Sequence, residues 1–541
     1  MSPKKRTPRH SAIALATMAL ATSVFAAPAA KTSSADGPQA VIIAYKAGMS
    51  AAVRYEVETN GGKIVRELGR ASALAVRMPA AGLAALQASK SVDFVEPDVE
   101  RHVLGAPTHA ASVSAQPLST AVDTPTTGTE VRPYGIAMVQ ANQVDDVLTA
   151  NRKLCIIDSG YDRSHPDLSL NVANGNVSGI NLTTSGTWDS DELAHGTHVA
   201  GTIAATGGNG VGVVGVNPGG HLKLYIAKVF DASGSADSSV VMDAVSRCAD
   251  AGANIISMSL GGGDPSQAER RVFRSLLNDG VLTIAAAGNA GDTSTSFPAG
   301  YEEVMSVAAL DANKLHAGFS QVNNDVEIAA PGVATLSTIP PNLESLGLLS
   351  VAGTNYDAAA MTGSPRLGAT APLYDFGIGS AIDPGAAGKV CLIKRGSISF
   401  ATKVVNCQTS GGVAAVVYNN TAGVLFGTLG DTMTTIPSVG TSDVSGAILT
   451  GMVGQNATVR VVPDPALYAY FNGTSMATPH VSGVAALVWS YFPKCQAKQV
   501  RQVLDASALE LGRPGKDPEF GFGLVQAKTA YDRLAATGCG N

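Results

Sequence analysis

Residues 254–287 read NIISMSLGGGDPSQAERRVFRSLLNDGVLTIAAA. An apolar run at 254–260 leads into a glycine cluster, then a helix-length segment at 267–279, then a second apolar run at 281–287. Both runs are continuously apolar rather than alternating, which suits strands buried on both faces. A helix between two such strands implies a parallel pair joined by a crossover. Outward from this unit, further apolar runs lie at 154–157, 222–229, 304–310 and 326–330, with another helix-length segment at 238–251. The fold class is therefore α/β, a mostly parallel, doubly wound sheet. Chemistry in such folds belongs at the C-terminal ends of the strands.

The chain has 541 residues, more than one core needs. The α/β pattern starts near residue 130 and runs to 340, breaks at 341–465, and resumes at 466–535. The break is rich in Gly, Ala and Val, with short strand-like runs at 390–393, 414–418 and 459–462 and a helix-like run at 400–409, so an inserted α+β, β-rich domain is expected. Two helices are expected after it, at 475–492 and 496–507. Residues 39–104 alternate strand-like and helix-like runs and end in the charged stretch Glu96-Pro-Asp-Val-Glu-Arg101, which predicts a small α+β unit. Residues 105–129, rich in Ala, Ser, Thr and Pro, read as a linker and processing zone.

Lys+Arg number 37 and Asp+Glu 43, a net charge of −6, and only 15% of residues are charged. No basic surplus points to a nucleic-acid partner, and 45% hydrophobic residues exclude a largely disordered chain. Lys4, Lys5, Arg6 and Arg9 precede an Ala-rich apolar run at 11–25 and the small-residue site Val24-Phe25-Ala26. Residues 1–26 thus read as an export signal. The run is shorter than the roughly 20 residues a membrane span needs. In an oxidising compartment the six cysteines are expected to form disulfides, and no C-x-x-C spacing suggests zinc. Nearness favours Cys391–Cys407 and Cys495–Cys539, leaving Cys155–Cys248. Five N-x-S/T sequons include Asn472, where a glycan would crowd Ser475. That favours a bacterial, secreted protein.

Four short motifs carry chemistry. Asp158 follows the apolar run 154–157 and precedes Ser159-Gly160. A carboxylate at that strand end needs a donor to stay ionised. His195-Gly-Thr-His-Val-Ala-Gly201 opens a helix of small residues. Zinc helices of the H-E-x-x-H kind need a Glu that is absent here, so His198 reads as a packed, hydrogen-bonded residue and His195 as the chemical candidate. Gly473-Thr-Ser-Met-Ala-Thr-Pro-His480 opens another helix. Ser475 there lies among free N–H groups that favour developing negative charge, although a lone serine at that place is ordinarily an N-cap. Asn289, after the apolar run, can donate an amide hydrogen to an oxyanion or simply serve a turn.

These blocks, in the order Asp…His…Ser, resemble the subtilisin-like serine proteases over roughly 130–340 and 466–535. The resemblance implies Ser475 as nucleophile, His195 as general base, Asp158 as its orienting carboxylate, and Asn289 with the Ser475 N–H as oxyanion hole. It implies that Ser259, Leu260, Gly261 and Gly262 pair with a polypeptide substrate as an added strand. It implies calcium at Glu130, Asp167 and Asn209, although the loop at 206–213 is one residue longer than usual and Glu130 stands for a more usual Gln. Residues 294–301 resemble the wall of the pocket for the residue before the cleaved bond. They carry no acidic group there to attract Lys or Arg, so an apolar or aromatic residue is expected in it.

Residues 39–104 resemble the inhibitory propeptide of these enzymes. Gly388-Lys-Val-Cys-Leu-Ile-Lys-Arg-Gly396 and Ala414-Ala-Val-Val-Tyr-Asn-Asn420 resemble the protease-associated (PA) domain. A monomeric, secreted zymogen follows as the expectation. An esterase would want G-x-S-x-G, but Ala477 fills the last position. A non-catalytic binding scaffold would be expected to have lost one of the four candidate groups, and all four are present.

Overall fold

The computed structural model describes residues 37–104, 129–343, 345–429 and 432–539. The expected signal at 1–26 and all but the last residue of the expected linker at 105–129 lie outside the described residues.

Seven strands form the main sheet, in spatial order Ile328–Pro331, Met305–Leu310, Leu282–Ala286, Ile255–Met258, Lys153–Asp158, Lys223–Lys228 and Val177–Asn181. Every adjacent pair is parallel. Six of these strands coincide with the apolar runs. The seventh, Val177-Ser-Gly-Ile-Asn181, is a half-buried edge strand whose polar residues hid it in the sequence.

Successive side chains leave a strand on opposite faces, so Leu154 and Ile156 pack one way and Cys155 and Ile157 the other. The first face carries the helices His195–Ala204 and Thr474–Tyr491, and the second carries Ser238–Asp250 and Gln267–Asn278. Disulfide Cys155–Cys248 staples the central strand to the helix Ser238–Asp250. The remaining bridges are Cys391–Cys407 and Cys495–Cys539. From Lys153–Asp158 the chain first builds outward on one side, then crosses to Ile255–Met258 on the other. That reversal puts the ends of these two strands at the topological switch point, where open α/β sheets bind ligands.

The insertion leaves and re-enters through an antiparallel ribbon, Thr335–Thr338 against Tyr468–Phe471. Beyond it stands a mixed eight-stranded sheet flanked by Phe400–Thr409 and Asp443–Thr450. Its core is separate from that of the main sheet.

The N-terminal unit is a four-stranded antiparallel sheet, in order Lys63–Leu68, Ala73–Met78, Gln39–Tyr45, Val92–Pro97. One face covers its own helices, Ser50–Thr59 and Ala80–Gln87. The other face, with Ile42, Ala44, Ala73 and Ala75, merges with Val241, Val245, Phe273 and Leu276 of the α/β unit. The charged stretch 96–101 is not a solvated tail. Glu96 accepts from the N–H groups of Gln267 and Ala268 at 2.9 and 3.0 Å, and Asp98 from Ser239 N–H at 2.9 Å. Each carboxylate thus sits on a helix N-terminus, where unpaired N–H groups and the dipole favour an anion.

Candidate active site

Asp158 ends the central strand with its carboxylate fully buried. Its Oδ1 accepts from His195 Nδ1 at 2.8 Å and from Ser159 N–H at 2.7 Å. The other ring nitrogen, His195 Nε2, is buried and has no hydrogen-bond partner among the described residues. With Nδ1–H given to the carboxylate, Nε2 presents its lone pair.

A second layer fixes this pair. Asp191 Oδ2 accepts from Thr197 N–H and Oγ1–H at 2.8 and 2.7 Å, in the first turn of the His195 helix. Its Oδ1 accepts from Ser159 Oγ–H at 2.8 Å, and Ser159 Oγ accepts from Gly196 N–H at 2.9 Å. The fully buried Lys228, opposite Asp158 in the neighbouring strand, donates to the Ser159 carbonyl at 2.5 Å and to the Glu192 carboxylate. Sequence reading missed Asp191 and Lys228. For Asp191 the available signal was an acidic residue just ahead of a helix start.

Ser475 lies in the first turn of the helix Thr474–Tyr491. Pro479 has no N–H, so the Ser475 carbonyl lacks its helical donor and accepts instead from Ser259 Oγ–H at 2.8 Å. That bond ties the serine turn to the end of strand Ile255–Met258. Asn289 Oδ1 accepts from Thr474 N–H and Oγ1–H, both at 2.9 Å, which turns the amide Nδ2 away from Thr474. A Cβ on Gly473 would lie 3.2 Å from both Asn289 Nδ2 and the Leu104 carbonyl oxygen, a tight fit where these two converge.

Leu104 comes from the N-terminal unit. Ser475 Oγ–H donates to its carbonyl oxygen. The preceding strand, Glu100–Val103, runs between Ser235–Asp237 and Leu260–Gly261, antiparallel to both. Leu260 and Gly261 therefore pair with a strand of the same chain. Ser259 contributes its carbonyl to Leu104 N–H at 3.4 Å. Gly261 and Gly262 leave little room for side chains against this strand. A Cβ on Gly261 would stand 2.7 Å from Leu104, and one on Gly262 would stand 2.5 Å from the Glu100 carbonyl oxygen.

The remaining histidines of the motifs are structural in their surroundings. His198 Nε2 meets the Thr335 and Ala469 carbonyls at 3.0 and 3.1 Å, and its ring stacks on Phe471 at 4.3 Å. Burial, with the charge of His195 nearby, pushes its pKa down to about 3. His480, bonded to the Met476 carbonyl at 2.8 Å, is pushed down to about 4 by burial. Neither exchanges protons near neutrality.

Glu130, Asp167 and Asn209 do converge. Glu130 Oε2, both Asp167 oxygens and Asn209 Oδ1 are, however, engaged by hydrogen-bond donors. Glu130 Oε2 accepts from the N–H groups of Gly208, Asn209 and Gly210 at 2.6, 3.1 and 3.4 Å. Asp167 Oδ1 accepts from Asn209 Nδ2 at 2.9 Å, and Oδ2 from Val213 N–H at 2.7 Å. Calcium needs several free oxygens directed at one point. The loop turns N–H groups toward Glu130, and Asn209 turns its amide nitrogen toward Asp167, so this donor set does not fit the ion.

The geometry can be set beside known proteins. The model of the Subtilase family matches residues 149–364 and 442–523, and the PA domain model matches 356–449. Subtilisin DY of Bacillus licheniformis is 37% identical over 235 residues, covering 42% of this chain and 82% of the relative. Subtilisin amylosacchariticus of Bacillus subtilis subsp. amylosacchariticus is 32% identical over 299 residues, covering 54% and 70%. Among solved structures, the subtilisin-like protease Apa1 from the Antarctic psychrotroph Pseudoalteromonas sp. AS-11 superposes with a TM-score of 0.53 at 40% identity, covering 76% of this chain and all of that one. Fervidolysin from Fervidobacterium pennivorans gives 0.58 at 21% identity over 92% and 61%, a likeness of fold.

Proposed function

The chain belongs to the subtilase family of serine peptidases, and we propose that it is a secreted endopeptidase, made as a precursor and matured by its own cut after Leu104. One observation carries this reading: Ser475 Oγ–H meets the Leu104 carbonyl, at the end of a strand gripped on both edges.

The chemistry follows from the atoms. His195 Nε2 takes the Ser475 hydroxyl proton as Oγ attacks the carbonyl carbon. Asp158 holds Nδ1–H and stabilises the imidazolium that forms. The oxyanion that forms is assigned to Asn289 Nδ2 and the Ser475 N–H, donors worth typically 10²–10³ in rate each. His195 returns the proton to the leaving amine, and water then hydrolyses the acyl ester. Leu104 is itself the residue before the bond, which supports a preference for apolar or aromatic residues there.

Residues 39–104 act as propeptide and intramolecular inhibitor, supported by the helix contacts of Glu96 and Asp98 and the apolar face shared with the α/β unit. Export is supported by the basic, apolar start of the sequence and by extracellular-type disulfides. Among the described residues no helix is long and apolar enough to cross a membrane.

Intact-mass analysis of the fragment released on maturation is expected to show a C-terminus at Leu104. A fragment ending before Glu100, or no release by purified precursor, would overturn the self-cutting reading. The corner at Glu130 is expected to be held without metal. Melting in excess EDTA should match melting without it, and a fall beyond about 2–4 °C, the shift given by about 1 kcal/mol, would return calcium to this site.

A further inference from the structure

The added strand carries a buried charge. Arg101 lies three residues before Leu104, and its side chain is 0% exposed, as is that of Glu269. Arg101 Nε and Nη2 donate to Glu269 Oε1 and Oε2 at 3.2 and 2.6 Å, a bidentate pair, and Nη2 also donates to the Asp264 carbonyl at 2.9 Å. Tyr301 hydroxyl, itself accepting from Ser266 N–H at 2.7 Å, donates to Glu269 Oε2 at 2.9 Å. Burial alone would lower the Arg101 pKa, but the Glu269 charge and hydrogen bonds outweigh it and hold the group above its ordinary value.

Glu269 belongs to the α/β unit, in the first turn of helix Gln267–Asn278, so it stays when the N-terminal strand leaves. The strand's other side chains offer less. His102 is exposed, and Val103 and Leu104 are both half buried. Backbone pairing along the strand is indifferent to sequence, which leaves Arg101 as the fully buried side chain through which the strand can be read. Beneath a bound strand, a carboxylate with one neutral donor and no cation is costly, and an arginine on that strand restores both bonds in the planar geometry that suits it.

We propose that Glu269, braced by Tyr301, selects substrates with arginine at the fourth residue before the cleaved bond, so that the enzyme reads a basic residue three positions ahead of an apolar one. This rests on the proposed cut after Leu104. The test uses matured wild-type enzyme and peptides identical except at that fourth position, each with Leu before the bond. Arginine is expected to exceed alanine roughly 100-fold in kcat/KM, the scale set by leaving a buried charge unpaired, with lysine between them because an ammonium cannot bond bidentately. Glu269→Gln should narrow the arginine-to-alanine ratio to within about threefold. Should that variant fail to mature, the double variant Arg101→Met, Glu269→Leu replaces the pair by apolar packing and should prefer methionine to arginine. Equal wild-type rates for arginine and alanine, or an arginine preference surviving either variant, overturn the inference while leaving the protease reading intact. Failure to cleave any peptide overturns the protease reading itself.

Discussion

Ser475→Ala is expected to lower proteolysis by about 10⁶-fold and to leave the purified precursor uncut. The hydroxyl of Ser475 meets the Leu104 carbonyl, and Asn289 and the helix N–H groups cannot replace a nucleophile. What survives should be the small acceleration that oxyanion donors and binding give alone. The fold should tolerate the change. Ser475 also donates to the Ser259 carbonyl at 3.1 Å, and losing one such bond costs about 1 kcal/mol. The contact that ties the turn to the strand, Ser259 Oγ–H to the Ser475 carbonyl, involves only backbone at residue 475 and stays. Intact mass and casein hydrolysis on the same preparation check both arms. Release of a fragment ending at Leu104 by the pure variant would remove Ser475 from the reading.

Why some of this was legible in the sequence and some was not follows from range. The strands of the main sheet are buried on both faces, so their apolar runs stand out with no partner known. Helix Phe400–Thr409 begins and ends where its own residues say, because Ser399 accepts from Thr402 N–H as its cap. Asp158, His195 and Ser475 were legible as motifs, each set at a strand end or helix start. The contact of His195 with Asp158 at 2.8 Å was implied only by the order of the motifs. Arg101 shows the opposite case. Within Glu-Pro-Asp-Val-Glu-Arg it looks like part of a solvated charge run, and only a partner 168 positions away reveals a buried pair. Lys228 is similar, a strand-end cation whose acceptors, Ser159, Ser190 and Glu192, lie in two separate loops. The calcium expectation at Glu130, Asp167 and Asn209 turns on a related point. Oxygen-bearing residues can be counted in a sequence, but whether their oxygens face an ion or an N–H depends on how the loop turns.

Asp158→Asn tests the electrostatic half of the mechanism without emptying the site. In the wild type, Oδ1 serves both His195 Nδ1–H and Ser159 N–H, while Oδ2 is buried with no partner among the described residues. An asparagine that keeps its oxygen at Oδ1 leaves an NH₂ at the empty Oδ2 position, an unsatisfied donor, and removes the charge that stabilises the imidazolium. Turned the other way, it sets an NH₂ against both N–H groups. His195 would then have to move its proton to Nε2, where it can no longer accept from Ser475. Either arrangement is expected to reduce kcat by about 10⁴-fold with KM little changed, because the loss falls on the transition state rather than on the strand that binds substrate. Near-normal labelling of Ser475 by a fluorophosphonate, or kcat within tenfold of wild type, would mean that the His195–Asp158 contact is packing and that His195 draws its basicity from elsewhere.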